Sequence, residues 1–444
     1  MTYFPHSEQD IKQMLSSIGK NELDDLLQPV AKEFIADKMN LPDGMSEPEV
    51  EQYFKKLAAK NKPYKSIFMG AGANNHYIPA AVDEIASRQE FYTAYTPYQA
   101  EISQGTLQAI FEYQTYICRL TGMDATNASM YDGATALAES AMMAVAQTRQ
   151  PKLLVDKYIH PEYISVLRTY MNARNVTVDL VDTGAFEFNK AAFDKAWNKD
   201  YAAFIIACPN FCGTLVDYSG VVENVHADKR LVIQVFTEPL SMIVAKTPTE
   251  LGADIVCGEA QSLGNPLSYG GPYLGVIACR KEYMRKMPGR IVGQTKDKDG
   301  NIAYTLTLTA REQHIRRELA SSNICSNHGL CAFRASVYMS VMGKSGLTDC
   351  ALSNLEQSHK LQSEIAKLGN FQIIPNQVFF NEFVIKTNIN ASALSETLEN
   401  NDILSCYDLS NVDESLKGCY LVGCTEMCSD EDIDYFVEVL GGIK

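Results

Sequence analysis

LLVDK (Leu153–Lys157), VTVDLVD (Val176–Asp182), AAFIIACPN (Ala202–Asn210), LVIQVF (Leu231–Phe236), DIVCGE (Asp254–Glu259) and YLGVIAC (Tyr273–Cys279) are short apolar runs rich in β-branched residues. Polar or helical stretches separate them. A strand that is apolar along its length, rather than at alternate positions, is buried on both faces. Repeated between helices, such strands predict an α/β domain whose mostly parallel sheet is covered on each side.

Working outward, Leu107, Ile110, Phe111, Ile117 and Cys118 mark one stripe of a helix from Thr106 to about Leu120, stopped by Gly122. After the turn Asp132-Gly133, ATALAESAMMAVAQ is apolar nearly all round, as buried helices are. The first 60 residues are polar and helical, with capping-box starts at Ser7/Asp10 and Ser46/Glu49 and a turn at LPDG (Leu41–Gly44). Beyond Gly343, FFNEFVIKT and CYLVGCT read as strands, and SALSETLEN and SDEDIDYFVEVL as helices, the last capped by Ser429. The expected division is a helical arm over 1–60, a large α/β domain over 61–343 and a small α+β domain over 344–444.

Composition narrows the function. Of 444 residues, 46% are apolar and 21% charged, ordinary globular usage, and the net charge is −15. An acidic balance argues against a nucleic-acid binder, which carries a basic stripe, and against docking on an anionic membrane. No apolar run approaches the roughly 18–20 residues that span a bilayer, and the first ten residues lack the basic and apolar segments of a signal peptide. The 12 cysteines contain no CxxC, so the reading is a reduced, cytoplasmic protein without a metal site.

In open α/β sheets, ligands sit beyond the carboxyl ends of the strands. Four segments therefore stand out. Asp132-Gly133-Ala134-Thr135 opens a helix whose free N–H groups could cradle a phosphate or simply form an N-cap. Ser268-Tyr269-Gly270-Gly271-Pro272 is a loop able to approach an anion or a neighbouring subunit. Asn74, Asn75 and His76, followed by Tyr92, Tyr95, Tyr98, Gln99 and Glu101, form irregular aromatic and polar segments of the kind that line clefts or oligomer contacts. Arg311, His314, Arg316 and Arg317 are a basic cluster, with Arg311 and His314 on one face at helical spacing and Arg forks suited to carboxylates.

The phrases YTPYQAEISQG, MPGRIVG, REQHIRRELASSNIC and VDKYIHPEY resemble the P-protein of the glycine cleavage system, glycine dehydrogenase (decarboxylating), and more narrowly its split, subunit 1 (alpha) form. The resemblance covers nearly the whole chain. It implies the fold-type I architecture of pyridoxal-phosphate (PLP) transferases, with a sheet of about seven strands and a smaller C-terminal domain. It also implies glycine decarboxylation with transfer of the aminomethyl group to the lipoyl arm of the H-protein. PLP supplies the electron sink and needs a lysine for its Schiff base.

At the position the resemblance assigns to that lysine, Glu259-Ala260-Gln261-Ser262 carries Ser262, and no lysine lies between Lys246 and Lys281. Glu238 stands where an aspartate usually meets the pyridine nitrogen, and His160 where an aromatic stacks on the ring. The implied reading is an alpha subunit, inactive alone, that completes the pocket of a PLP-bearing beta subunit. Asn74, His76, Tyr95, Tyr98, Gln99, Glu101, Arg311 and His314 are the expected wall of that pocket. Asp132, Gly133, Ala134, Thr135, His160, Glu238, Gly270 and Gly271 are the expected vestige of this chain's own. The alternative is a non-catalytic scaffold that stabilises the beta chain.

Overall fold

The computed structural model describes residues 6–35, 40–320 and 322–443, and the backbone alone at Lys32, Arg311 and His314. The chain forms two compact units, residues 1–63 and 64–444. In the first, Ser7 caps Glu8–Ser17, its hydroxyl accepting from the Asp10 N–H. The Glu49 carboxylate closes the start of Glu47–Ala58 by accepting from the Ser46 N–H and hydroxyl.

The second unit is built on seven strands: β1 (Ala125–Thr126), β2 (Lys152–Asp156), β3 (Thr177–Val181), β4 (Ala203–Ala207), β5 (Leu231–Phe236), β6 (Ile255–Glu259) and β7 (Gly275–Cys279). Their order across the sheet is β1-β7-β6-β5-β4-β2-β3. Strands β2 to β6 run parallel, and β7 is antiparallel to both neighbours. The six apolar runs are thus six of the strands. The two-residue edge strand β1 was not legible, being too short to show a period.

In the inner strands alternate residues enter different cores, which is why those runs are apolar throughout, whereas the edge strand β3 is buried only at Val181 and carries Asp179. Val155, Ile205, Ile233, Ile255 and Ile277 pack with Ala136, Leu137 and Ala141 of helix α2 (Gly133–Thr148). On the opposite face, Val256 and Val276 pack with Tyr113 and Ile117 of helix α1 (Gln104–Thr121). Each such side chain contributes roughly 1.5–3 kcal/mol by leaving water. Helix α1 stops at Gly122, whose φ of 74° lies in the left-handed region that glycine adopts without strain.

Helix α3 (Gly329–Ile365) leads out of this core and breaks at Gly343, where φ is 59° and ψ −173°. Beyond it, Gln372–Ile373, Glu382–Lys386, Cys419–Gly423 and Tyr407–Asp408 form a four-stranded antiparallel sheet in that order. Ser66–Phe68 pairs in parallel with Ile403–Ser405, and Phe68 stacks on Phe436 at 4.5 Å. Ser429 caps Asp430–Gly442 through a capping box. Among the described residues, no helix is long and apolar enough to cross a membrane.

Candidate functional site

Parallel strands β5 and β6 are hydrogen-bonded neighbours and end side by side at Phe236 and Glu259. The chain beyond them therefore meets at one place, together with the N-terminus of α2. The Glu259 carboxylate sits at that helix start, 3% exposed. One oxygen accepts from Gly133 N–H at 3.0 Å. The other accepts from the N–H groups of Leu274 at 2.8 Å, and of Ala260 and Gln261 at 3.1 Å each. Burial pushes its pKa up to about 7, against the pull of these donors. Asp132 and Thr135 close on each other: Asp132 accepts from Thr135 N–H at 2.8 Å, and the Thr135 hydroxyl donates to Asp132 O at 3.1 Å. A Cβ at Gly133 would lie 2.9 Å from Glu259 N, so only glycine admits this approach. Ala134 is the next residue of the same turn.

Next to it, the Ser262 hydroxyl donates to Glu238 at 3.0 Å. The same Glu238 oxygen accepts from Leu240 N–H at 2.9 Å, and the other faces His76 Nε2 at 2.9 Å. His76 Nδ1 meets Glu426 at 3.0 Å, and Glu426 also accepts from Asn354 at 2.6 Å and from Tyr77 N–H at 2.7 Å. Burial disfavours charge on His76, but Glu238, with help from Cys350 and Glu426, holds its pKa well above the usual histidine value. His76 is thus an imidazolium clamped between two carboxylates. Donor atoms of His76, Cys350 and Glu426 lie within 4.8 Å of one another, close enough for a metal ion. The imidazolium already supplies the positive charge there, because both ring nitrogens are engaged.

His160 caps the helix Pro161–Asn172, Nδ1 accepting from Glu162 N–H at 3.2 Å and Nε2 donating to Ala71 O at 3.1 Å. Burial lowers its pKa, which suits this neutral tautomer. Its ring stacks on Tyr163 at 4.9 Å and takes the edge of Phe211 at 4.8 Å. A Cβ at Gly72 would press on the same ring.

The expected wall does not form one surface. His76 and Asn74 are buried inside this chain, because His76 is held by the two carboxylates just described. Tyr95 is 82% exposed, and Tyr92, Tyr98, Gln99, Glu101 and Ile102 are also exposed. The continuous helix expected through Arg311–Arg317 is replaced by three short turns, Thr309–Arg311, Gln313–Arg316 and Arg317–Leu319. Extended backbone at Glu312 and a φ of 53° at Arg317 separate them. The side chains of Arg311 and His314 lie outside the described residues. Gly270 and Gly271 were expected in the chain's own pocket. Instead they turn an exposed loop beside Tyr269, which is 96% exposed, and no atom lies within 4 Å of a Cβ built at Gly270.

Sequence reasoning passed over Arg290. It is buried beneath the aromatic segment, donates to the Tyr98 hydroxyl at 2.9 Å and lies 5.2 Å from that ring's centroid. Its Nε approaches Glu312 at 3.8 Å. With Tyr92, Tyr95, Pro97, Tyr113 and Phe333 it lines a cleft of about 230 Å³. MPGRIVG contains this arginine, so the signal was present in a phrase read only for its resemblance. Glu259 was also passed over, since nothing in sequence tells an anion seat from a strand end.

The sheet order and the convergence of strand ends on a helix start define a chain of the fold-type I PLP-transferase class. A C-DES mutant with glycine linked to PLP shares this fold, with a TM-score of 0.61 at 12% identity over 91% of this chain. A crystal structure of glycine decarboxylase (P-protein) in inhibitor-bound form matches end to end, with a TM-score of 0.92 and 37% identity. The profile of the family described as glycine cleavage system P-protein matches residues 1–440. Proteins named probable glycine dehydrogenase (decarboxylating) subunit 1 from Desulfitobacterium hafniense and Carboxydothermus hydrogenoformans are 46% and 45% identical, each over 100% of both chains. The chain belongs to the glycine cleavage system P-protein family.

PLP does not fit the residues of this site. A serine hydroxyl cannot replace the amine of a lysine. Glu238 has both oxygens engaged, His160 has its ring covered, and the Gly133 N–H at the helix start already donates to Glu259.

Proposed function

We propose that this chain is subunit 1, the alpha subunit, of a two-subunit glycine dehydrogenase (decarboxylating), working in the cytoplasm. With a second, PLP-bearing beta subunit it decarboxylates glycine and passes the aminomethyl group to the lipoyl group of the H-protein. The observation that carries this reading is end-to-end similarity to relatives named subunit 1, at 46% identity. Ser262 supports the division of labour, because its hydroxyl is bound to Glu238 and no lysine lies nearby in sequence.

In this reading PLP supplies the electron sink, and it is held by the beta subunit. This chain's contribution is a wall. Tyr95, Tyr98, Gln99 and Glu101 stand exposed on a segment anchored from beneath by Arg290. Exposed aromatics over a buried arginine have the composition of an interface core. The proposed assembly is a heterotetramer of alpha and beta chains, in which each beta pocket has one alpha wall.

The test is co-expression with the beta subunit and a glycine–CO2 exchange assay on each chain and on the pair. Exchange by the pair, with none by this chain alone, is the expected result. Exchange by this chain alone, with a borohydride-fixed phosphopyridoxyl group on one of its lysines, overturns the reading.

A further inference from the structure

We propose that the Glu259 carboxylate is a built-in anion, occupying the seat that a phosphate would take at the start of α2 and holding the site closed. The inference rests on reading this chain as the lysine-free subunit. Its failure, measured on this chain with inorganic phosphate, leaves the paired exchange assay untouched.

Three observations converge. First, four backbone N–H groups from three parts of the chain point at one buried carboxylate: Gly133 of the helix start, Ala260 and Gln261 beyond β6, and Leu274 before β7. The helix dipole adds to their field, and such a convergence is the backbone chemistry that binds phosphate oxygens. Second, Gly133 is the residue whose missing Cβ allows that approach, and Tyr163 closes over the same point. Third, the neighbouring groups are internally paired as well, Ser262 with Glu238, Glu238 with His76, and His160 with Ala71 and Glu162. The site is filled by bonds among its own residues rather than left as a collapsed void.

A carboxylate on this loop has a consequence that a neutral side chain would not have. It ties the end of β6, the start of β7 and the N-terminus of α2 to one charged group. Removing it leaves four converging donors without an acceptor, and an oxyanion of similar size supplies one.

The test uses the purified full chain at pH 8. Glu259→Ala is expected to melt below the wild type in chloride. It should regain about 2–4 °C in 10 mM inorganic phosphate at matched ionic strength, with about one phosphate bound per chain by equilibrium dialysis. The wild type should bind none and show no phosphate-specific shift. Glu259→Gln keeps the shape but presents an amide to the donors. It should ignore phosphate, because the seat remains filled. If Glu259→Ala is recovered folded only in phosphate, the proposal is likewise supported. A Glu259→Gln chain that phosphate stabilises as much as it does Glu259→Ala overturns it, as does a Glu259→Ala chain that phosphate neither binds nor stabilises.

Discussion

Two regions of this molecule invert the usual placement of polar and apolar side chains. Around Ser262, Glu238, His76 and Glu259, polar side chains are buried and bonded to one another. Around Tyr92, Tyr95, Tyr98 and Ile102, aromatic and apolar side chains stand in solvent over a buried arginine. The first region has internal partners for its charges. The second exposes the kind of surface that proteins cover with a partner. In the proposed reading, the chain's own pocket has become structure and the wall it offers a partner faces outward.

The comparison breaks most sharply at His76. Replacing it by alanine leaves the buried Glu238 and the half-buried Glu426 without their shared cation, and about 3–5 kcal/mol of stability should be lost. Urea unfolding of the variant measures this. A change under about 1 kcal/mol would mean that the cluster is not an ion triad.

The same buried charges set a pH dependence. Burial raises Glu139, Asp156, Glu259 and Glu382 to about 7. A carboxyl raised on folding holds its proton more tightly in the folded chain. Its contribution is therefore complete below its unfolded pKa, 3.8 for Asp and 4.5 for Glu, and is lost as pH climbs through 7. His76, raised by Glu238 against the effect of burial, likewise contributes below 6.5 and loses that contribution above its folded value. Stability should fall from about pH 5 to about pH 8, by at most about 1.4 kcal/mol per pH unit for each group. Melting temperatures across that range would show it, and a rising profile would contradict it.

On the exposed side, Tyr95→Ala combined with Glu101→Gln should slow glycine turnover by the assembled enzyme about 10–100-fold through misplacement of the pocket wall. The melting temperature of the isolated chain should stay within the equivalent of about 0.5 kcal/mol, since both residues are exposed. Turnover that follows only the fraction of alpha–beta complex, by sedimentation, would favour the scaffold role instead. The smallest effect is expected from Tyr98→Phe. It removes the hydroxyl that accepts from Arg290 but keeps the ring, at a cost of about 1 kcal/mol. Tyr98→Ala, which also removes the stacking contact, should cost more in the same measurement.

The central sheet was readable because burial on both faces writes itself into composition. Ala203–Ala207 and Leu231–Phe236 are buried at every residue, and their sequences say so. The caps at Ser7, Ser46 and Ser429 were readable because a cap is a local hydrogen bond three residues long. The missing lysine was readable as an identity at a matched position. His76 and the Tyr95 segment were grouped as one wall because they are close in sequence and both polar or aromatic. Folding separates them, burying the first between Glu238 and Glu426, which lie 162 and 350 residues away.

By itself, then, the sequence determined the α/β order and the local caps, which follow from spacing and side-chain chemistry, and through its family resemblance the serine at residue 262 where an amine was expected. Only the tertiary structure decided that Glu259 meets Gly133 and Leu274, that Ser262 meets Glu238, and that Arg290 lies beneath Tyr98. Those contacts depend on which strand ends lie side by side. That order is set by packing across the whole sheet, and no short stretch of chain carries it.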